Sequence, residues 1–250
     1  MSELVLVESA AGVRELRLNR PDKRNAVTFA MYEAMERALA AADTDESVRA
    51  VLLSGAGPGF CAGNDLHDFI NGPSFSSSHP VLGFLRGLVK LRKPLVAAVH
   101  GQTVGIGVTM LLHCDLVVAA DTSRFSMPFV SLGLVPEAAS SLLLPRIVGP
   151  QRAAELLLLG EPFDASRALA LGLVNRVVAE VSALTEARSL AARLAAQPPQ
   201  ALRATRRLLR GELAPQLARI DEEADIFGAQ LKSDEFRNAV QAFLAKARAR

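Results

Sequence analysis

The chain has 250 residues, half of them hydrophobic, and a net charge of only +2. These values allow a sizeable core, in one large domain or two small ones, and give no general case for nucleic-acid binding. One tyrosine and no tryptophan also argue against RNA stacking. No apolar run is long enough to span a membrane. The start shows no charged-then-apolar leader, and Cys61 and Cys114 lie among apolar residues. Together these features predict a cytoplasmic α/β protein with reduced thiols.

The N-terminal part predicts a hairpin, a helix and a buried strand. Residues 3–8 and 13–18 flank a short glycine turn and predict an antiparallel hairpin. Thr28 is the N-cap expected for a helix over 29–42. Residues 48–54 are apolar without alternation, which is typical of a strand covered on both faces of its sheet.

Two strands that end in glycine-rich turns are the most informative segments of the sequence. The apolar strand over 94–99 is followed by Gly101, Gly105 and Gly107, and then by a segment that predicts a buried helix. The strand over 48–54 runs into a second glycine-rich stretch. A strand that breaks at glycines and opens a helix leaves backbone N–H groups unpaired and unobstructed. Two such turns could aim one N–H each at the same oxygen, which would form an oxyanion hole of backbone alone.

The remaining segments predict a repeated unit followed by helices. Composition indicates a loop over 71–80, a helix over 81–91 and a third strand over 115–120. The order strand, glycine turn, helix therefore recurs between 48 and 120, which suggests stacked turns of similar structure. Beyond residue 150 we expect helices over these ranges: 151–159, 165–171, 186–196 and three more after Pro199, the last opening at Ser233.

A set of short motifs resembles the crotonase superfamily, the enoyl-CoA hydratases and isomerases. They run in the family's order over nearly the whole chain. They are LNRPDKRNA (18–26), FCAGNDL (60–66), the GxxxGIG turn (101–107), CD (114–115), LGLVP (132–136) and GLVN (172–175). The resemblance implies an α/β crotonase-like spiral of ββα repeats over 1–198, with two sheets at a steep angle. It also implies a C-terminal helical trimerisation region over 199–250, which is not an independent domain, and a homotrimer or dimer of trimers.

The resemblance further implies chemistry on acyl-CoA thioesters, in which two backbone N–H groups hold an enolate oxygen. By motif position these donors are Asn64 and Ile106. The family usually has glycine at the second place, and isoleucine there would narrow the acyl pocket. The alternative is that the glycines only permit tight turns. No metal or redox cofactor is implied, coenzyme A being part of the substrate, and the four histidines form no metal-ligand cluster in sequence.

The predicted base is a single glutamate. Hydratases of this family hold a water with two glutamates, and Thr109 and Phe129 occupy those positions here. Glu137 matches instead the one glutamate that follows a proline in the Δ3,Δ2-enoyl-CoA isomerase branch. The small apolar residues around it predict a raised pKa for its carboxyl. The alternative is that Pro136-Glu137 is an ordinary helix start.

Further residues match the family's CoA contacts. They are Lys23, Arg24, Ala26, Ala62, Asp65 and Leu66, with Phe243 and Lys246 of the last helix reaching CoA from a neighbouring subunit. The basic ones could instead be solvated surface charges. The leading hypothesis is an enoyl-CoA isomerase that shifts a 3-enoyl-CoA double bond to 2-enoyl-CoA. The alternatives are a hydratase-like or other acyl-CoA activity with an unrecognised base such as Asp68, and an inactive CoA-thioester- or RNA-binding relative.

Overall fold

The architecture is that of a computed structural model, which describes residues 3–71 and 79–248, without the side chains of residues 71, 243, 244 and 246–248. The predicted loop over 71–80 therefore lies largely outside the described residues. The strands are β1 (Val5–Ala10), β2 (Val13–Leu18), β3 (Ala50–Gly55), β4 (Leu95–Val99), β5 (Gln102–Val104), β6 (Leu116–Ala120), β7 (Arg124–Ser126), β8 (Phe163–Asp164) and β9 (Arg176–Val178). The helices are α1 (Phe29–Thr44), α2 (Leu66–Asn71), α3 (Pro80–Lys90), α4 (Ile106–Thr109), α5 (Ser140–Val148), α6 (Pro150–Ala154), α7 (Ala165–Ala170), α8 (Glu180–Ala195), α9 (Pro199–Arg210), α10 (Ala214–Gln230) and α11 (Asp234–Arg248).

In the described part of the chain, the strands form a larger sheet in the order β1-β2-β3-β4-β6-β9 and a smaller one in the order β5-β7-β8. The hairpin of β1 and β2 is antiparallel, as predicted, and β2, β3, β4, β6 and β9 run parallel. β3 is buried along nearly its whole length because β2 and β4 flank it and the sheet is covered on both faces. The prediction for this strand is confirmed.

Successive units of the chain each place one strand in the large sheet and the next in the small sheet before a helix. β4, β5 and α4 form one such unit, and β6, β7 and α5 form the next. In the described part of the chain, the unit that starts with β3 joins the small sheet through an isolated bridge, from Cys61 to Thr103 of β5. The recurring glycine turns predicted stacked units of similar structure, and the family resemblance implied their ββα form; both are confirmed.

The core lies between the large sheet and the helices α1 and α3. The Thr28 side chain accepts the Met31 N–H and so caps α1 as predicted, while Met31, Met35 and Leu39 of that helix are buried. α8 covers the opposite face of the sheet through a second apolar cluster that includes Leu52, Val96 and Leu190. No helix in the described ranges is long and apolar enough to cross a membrane.

The C-terminal helices pack on the same core as the sheet. Ile220 and Phe227 of α10, with Phe236 and Val240 of α11, belong to the cluster that contains the β3 and β4 side chains. The apolar face of α11 is therefore covered by its own subunit at Phe236 and Val240. A boundary at residue 198 stays a prediction.

Candidate active site

The two glycine turns lie side by side and are hydrogen-bonded to each other. The Cys61 N–H donates to the Gln102 carbonyl at 3.1 Å, and the Val104 N–H donates to the Cys61 carbonyl at 2.9 Å. The approach requires a missing side chain, because a Cβ on Gly107 would lie 2.9 Å from the Cys61 Cβ and 3.0 Å from its carbonyl oxygen. Glycine is thus needed at position 107 because of this close packing.

Both predicted oxyanion donors are free backbone N–H groups. Gly105 (φ 55°, ψ −117°) precedes α4, so Ile106 holds the first helical position, where an N–H has no intrahelical acceptor. Val27 pairs with the residues on either side of Asn64, accepting the Asp65 N–H and donating to the Gly63 carbonyl. Across residues 3–71 and 79–248, no acceptor takes the N–H of Asn64 or Ile106.

Glu137 is buried and is connected to one of these donors through a side chain. It is 6% exposed and lies in the irregular segment before α5. The Asn64 amide donates to its Oε1 at 3.1 Å, and the Tyr32 hydroxyl donates to the amide oxygen of Asn64. α5 begins only at Ser140, so the alternative of an ordinary helix start at Pro136-Glu137 is wrong.

The surroundings make Glu137 a weak acid. Burial raises the pKa of its carboxyl to about 8; the Asn64 hydrogen bond opposes this rise and the nearby Glu223 carboxylate adds to it. The raised pKa predicted from the apolar neighbourhood is confirmed. Burial, and then the Glu137 charge, raise the pKa of Tyr32, which stays a hydrogen-bond donor. A carboxyl with a pKa near the working pH can both accept and return a proton.

Two further residues at this site were missed by the sequence analysis. Glu223 of α10 accepts the Ala139 N–H at 2.7 Å and the Ser141 N–H at 2.9 Å, and burial raises the pKa of its carboxyl to about 6. His113 lies 2.8 Å through Nε2 from the Ala138 carbonyl, to which it donates. One signal was present in the sequence, since Glu223 interrupts the apolar stripe of Ile220, Ala224 and Phe227.

A small apolar cavity adjoins the two carboxyl groups. Its volume is about 10 Å³, enough for about one water molecule. Glu137 and Glu223 both line it, with apolar side chains of α3 and α10 around them. The two carboxyls therefore share one poorly hydrated space, which is the physical reason why both pKa values are raised.

The positions of the hydratase glutamates carry no acid. Thr109 is fully buried, and its hydroxyl has no partner among the described residues. Phe129 is 4% exposed, and its ring lies beside Gly105, at 3.9 Å from where a Cβ would be. Asp68 accepts the Phe29 N–H at 2.8 Å, so its carboxylate is engaged at the N-terminus of α1.

Several residues predicted to contact CoA lie around the first glycine turn. Lys23 and Arg24 are exposed, the Arg24 carbonyl accepts the Ala62 N–H at 3.0 Å, and the Ala26 N–H donates to the Lys23 carbonyl. The Arg24 guanidinium lies 3.2 Å from the Gln102 side chain of β5. Two exposed cations thus lie beside the turn that carries the Asn64 N–H.

The other predicted CoA residues have structural partners or fall outside the described side chains. The Asp65 carboxylate forms an ion pair with Arg20 at 2.5 Å. Leu66 opens α2 and packs partly buried against the core. The side chains of Phe243 and Lys246 lie outside the described residues. Within the described ranges, no group of three or more metal-ligating side chains comes together.

Comparisons with known proteins agree with this architecture. The sequence model described as enoyl-CoA hydratase/isomerase matches residues 8–250. The chain is 36% identical to the 1,2-epoxyphenylacetyl-CoA isomerase of Escherichia coli, over 98% of this chain and 97% of that protein. It is also 36% identical to enoyl-CoA delta isomerase 2 of Rattus norvegicus over 98% of its length, but it spans only 64% of that longer protein.

The solved structures show the same fold. An enoyl-CoA hydratase/isomerase from Pseudoalteromonas atlantica superimposes with a TM-score of 0.94 at 41% identity, covering 98% of both chains. OdaA of Pseudomonas aeruginosa gives a TM-score of 0.92 at 44% identity, covering 97% of this chain and 99% of the other. The α/β class and the crotonase-like fold predicted from the motifs are confirmed.

Proposed function

The chain belongs to the enoyl-CoA hydratase/isomerase family, and we propose that it converts 3-enoyl-CoA thioesters to 2-enoyl-CoA thioesters by moving one proton. The observation that carries the proposal is Glu137, a buried carboxyl with a pKa of about 8, hydrogen-bonded to Asn64 at 3.1 Å. The hydratase positions hold Thr109 and Phe129, which cannot take a proton from water at neutral pH.

The first step is proton removal beside the thioester. The Glu137 carboxylate takes a proton from C2, and the electron pair passes through the carbonyl and the adjacent double bond to give a dienolate. The N–H groups of Asn64 and Ile106 stabilise the negative oxygen, at positions fixed before the reaction begins. No redox change and no second substrate are required.

The second step returns the same proton. Glu137, now protonated, delivers it to C4, and the double bond comes to rest between C2 and C3. A carboxyl with an ordinary pKa would hold the proton too weakly to return it efficiently. At pH 7 a pKa of about 8 leaves roughly a tenth of Glu137 ionised, which is enough to begin the cycle.

The exposed cations beside the first glycine turn fit the phosphates of the substrate. Lys23 and Arg24 would bind this anionic part, with Ala26 and Ala62 along the same edge. A trimer or a dimer of trimers, in which Phe243 and Lys246 reach a neighbour's CoA, is part of the proposal.

Hydration of 2-enoyl-CoA is the competing activity. A relative 36% identical over 96% of this chain is named enoyl-CoA hydratase AFT3-1, from Alternaria alternata. Two observations argue against hydration in this chain. The positions of the hydratase glutamates hold Thr109 and Phe129, and the Asp68 carboxylate accepts a hydrogen bond from the start of α1. A buried carboxyl hydrogen-bonded to Asn64, whose own backbone N–H is unpaired, favours catalysis over an inactive binding protein.

The proposal is tested by following double-bond migration and water addition separately with purified protein. We expect 3-enoyl-CoA to be isomerised and 2-enoyl-CoA to be hydrated slowly or not at all. Glu137→Gln should lower the isomerase kcat about 10²- to 10⁴-fold, because the amide cannot accept the proton, while binding of a saturated acyl-CoA is kept.

Asp68→Asn is the matched control, because it removes a carboxylate near the glycine turn but keeps an acceptor for the Phe29 N–H. It should isomerise at close to the wild-type rate. Wild-type turnover by Glu137→Gln, or robust hydration that depends on Asp68, would overturn the proposal.

A further inference from the structure

The two residues that follow Glu137 have an unusual backbone conformation for their residue type. Ala138 and Ala139 both have positive φ, 64° and 54°, and neither is glycine. A left-handed conformation is unfavourable for alanine, and two in succession are maintained only when other parts of the structure impose them. The turn must therefore be held from outside.

Two buried side chains hold the same peptide bond from its two ends. The Ala138 carbonyl accepts from His113 Nε2 at 2.8 Å, and the N–H of the next residue, Ala139, donates to Glu223 Oε2 at 2.7 Å. His113 is 1% exposed and Glu223 is 5% exposed. Glu223 also accepts the N–H and hydroxyl of Ser141, which ties the turn to the start of α5.

The two side chains come from different parts of the fold. His113 ends the short helix that continues α4, and so belongs to the unit that carries the Ile106 N–H. Glu223 lies on α10 and lines the same cavity as Glu137. The orientation of the 138–139 peptide group is therefore fixed by contacts from two places: the segment after the Ile106 turn and the C-terminal helices.

We propose that His113 and Glu223 are the positioning residues of Glu137: by holding the 138–139 peptide at both ends, they fix the point from which its carboxyl meets the substrate. This inference rests on the proposed role of Glu137 as the base. The simpler alternative is that Glu223 merely caps α5. The two differ in what they predict for kcat and for the pH profile, as distinct from stability.

The titratable groups near Glu137 bear on its pH profile. Glu223, with Arg219 beside it, acts on the Glu137 carboxyl through charge. The Glu137 charge in turn acts on Tyr32 of α1 and Cys61 of the first glycine turn, and His113 holds the peptide that follows. Burial lowers the pKa of His113 to about 4, so it is neutral at working pH, whereas burial raises the pKa of Cys61 to about 12, so it stays a thiol. Glu223 is then the charged group whose removal acts directly on Glu137.

Matched variants separate the two contacts. His113→Phe keeps a ring but removes the hydrogen-bond donor. It should lower kcat about ten- to a hundredfold with little change in KM. It should not shift the acid limb of the pH profile, the pH range in which kcat rises as Glu137 ionises. His113→Gln restores a donor and should recover part of the loss. Glu223→Gln should lower kcat and also move the acid limb to lower pH by about half a unit or more, because a negative charge near Glu137 is gone.

The titration of Glu137, followed by NMR of carboxyl-labelled glutamate in the full-length protein and assigned with Glu137→Gln, gives a readout independent of turnover. Glu223→Gln should lower that titration midpoint. If the midpoint moves while Glu137→Gln still turns over substrate, Glu223 acts on the Glu137 carboxyl as inferred, but Glu137 is not the base and the proposed function is wrong. If both variants keep the wild-type kcat and acid limb, or lose activity only in proportion to the folded fraction, the residues are structural and the inference is overturned.

Discussion

The two halves of this site are built by different means. The glycine turns present backbone N–H groups, and their geometry follows from local chemistry: Gly105 adopts angles closed to other residues, and Gly107 allows Cys61 to approach within van der Waals contact. The turn that carries Glu137 has no glycine at its left-handed positions. Its conformation comes from His113 and Glu223, which lie far away in sequence.

The conformation of the glycine turns is specified by their own sequence, whereas that of the Glu137 turn is imposed by the assembled fold. A glycine turn remains favourable when its surroundings change, whereas the Ala138-Ala139 turn depends on partners that must first fold around it. We therefore expect substitutions in the glycine turns to change the local backbone geometry directly. Substitutions around Glu137 should change activity through contacts that are distant in sequence and through charge.

Among changes that leave the Glu137 carboxyl in place, the largest effect is expected at the glycine turn. Gly105→Ala should lower kcat about 10²- to 10³-fold, because alanine cannot hold φ 55° with ψ −117° and the Ile106 N–H must move. Steady-state kinetics on 3-enoyl-CoA measures this loss. Gly172→Ala is the control: Gly172 also has a positive φ (76°), and an added Cβ there meets nothing within 4 Å. If both variants lose stability alike and keep activity alike, the Ile106 N–H plays no part in the reaction.

A second effect should appear in stability. The folded-state pKa of Glu137 is about 8 and its ordinary value is 4.5, so its burial lowers stability progressively as the pH rises through this window. Glu137→Gln removes this cost. It should raise the free energy of unfolding at pH 9 by a few kcal/mol, and leave it nearly unchanged below pH 4.5.

Urea unfolding of both proteins at several pH values checks this prediction. Glu161→Gln, at an exposed position, is the control and should not stabilise the protein at any pH. Equal stability of Glu137→Gln and wild type at pH 9 would contradict the prediction that an ionised Glu137 is costly to bury.

The smallest effect is a shift in the pH profile. Asn64→Ala keeps the backbone N–H but removes the amide that donates to Glu137, so the acid limb should move to higher pH, opposite in sign to Glu223→Gln. Tyr32→Phe removes only the donor to Asn64 and should shift the limb less. The pH dependence of kcat distinguishes the cases, and a downward shift in Asn64→Ala would show that the amide does not favour the ionised carboxyl.

Much of the fold could be predicted because it follows from local patterns. Local hydrophobic patterns or a single capping residue were enough to predict several elements: the hairpin, the Thr28 cap, the buried strand β3 and the last three helices. The sequence pattern predicts a helix that begins at residue 186, whereas α8 begins at Glu180. Its first turns carry Val181, which is 88% exposed, and Ser182, so they lack the apolar periodicity that marks a packed helix.

The candidate site could be predicted only in part. The glycines and the carboxylate are visible in the sequence, and so are the family motifs that assign their roles. Nothing in Pro136-Glu137-Ala138-Ala139 indicates a left-handed turn, because the cause is Glu223, separated from Ala139 by 84 positions. The segment predicted as a helix over 151–159 is helical throughout, but α6 gives way at Glu155 to a wider π-helical turn, which ends at Leu159.

The two-ended hold on the 138–139 peptide has a stereochemical consequence. A carboxyl on a backbone held in this way, and hydrogen-bonded to Asn64, should stay on one side of a planar dienolate. It would remove the hydrogen from C2 and deliver it to C4 on the same face of the molecule. Since the carboxyl is shielded from bulk water, a deuterium placed at C2 should reappear largely at C4 instead of exchanging with the solvent.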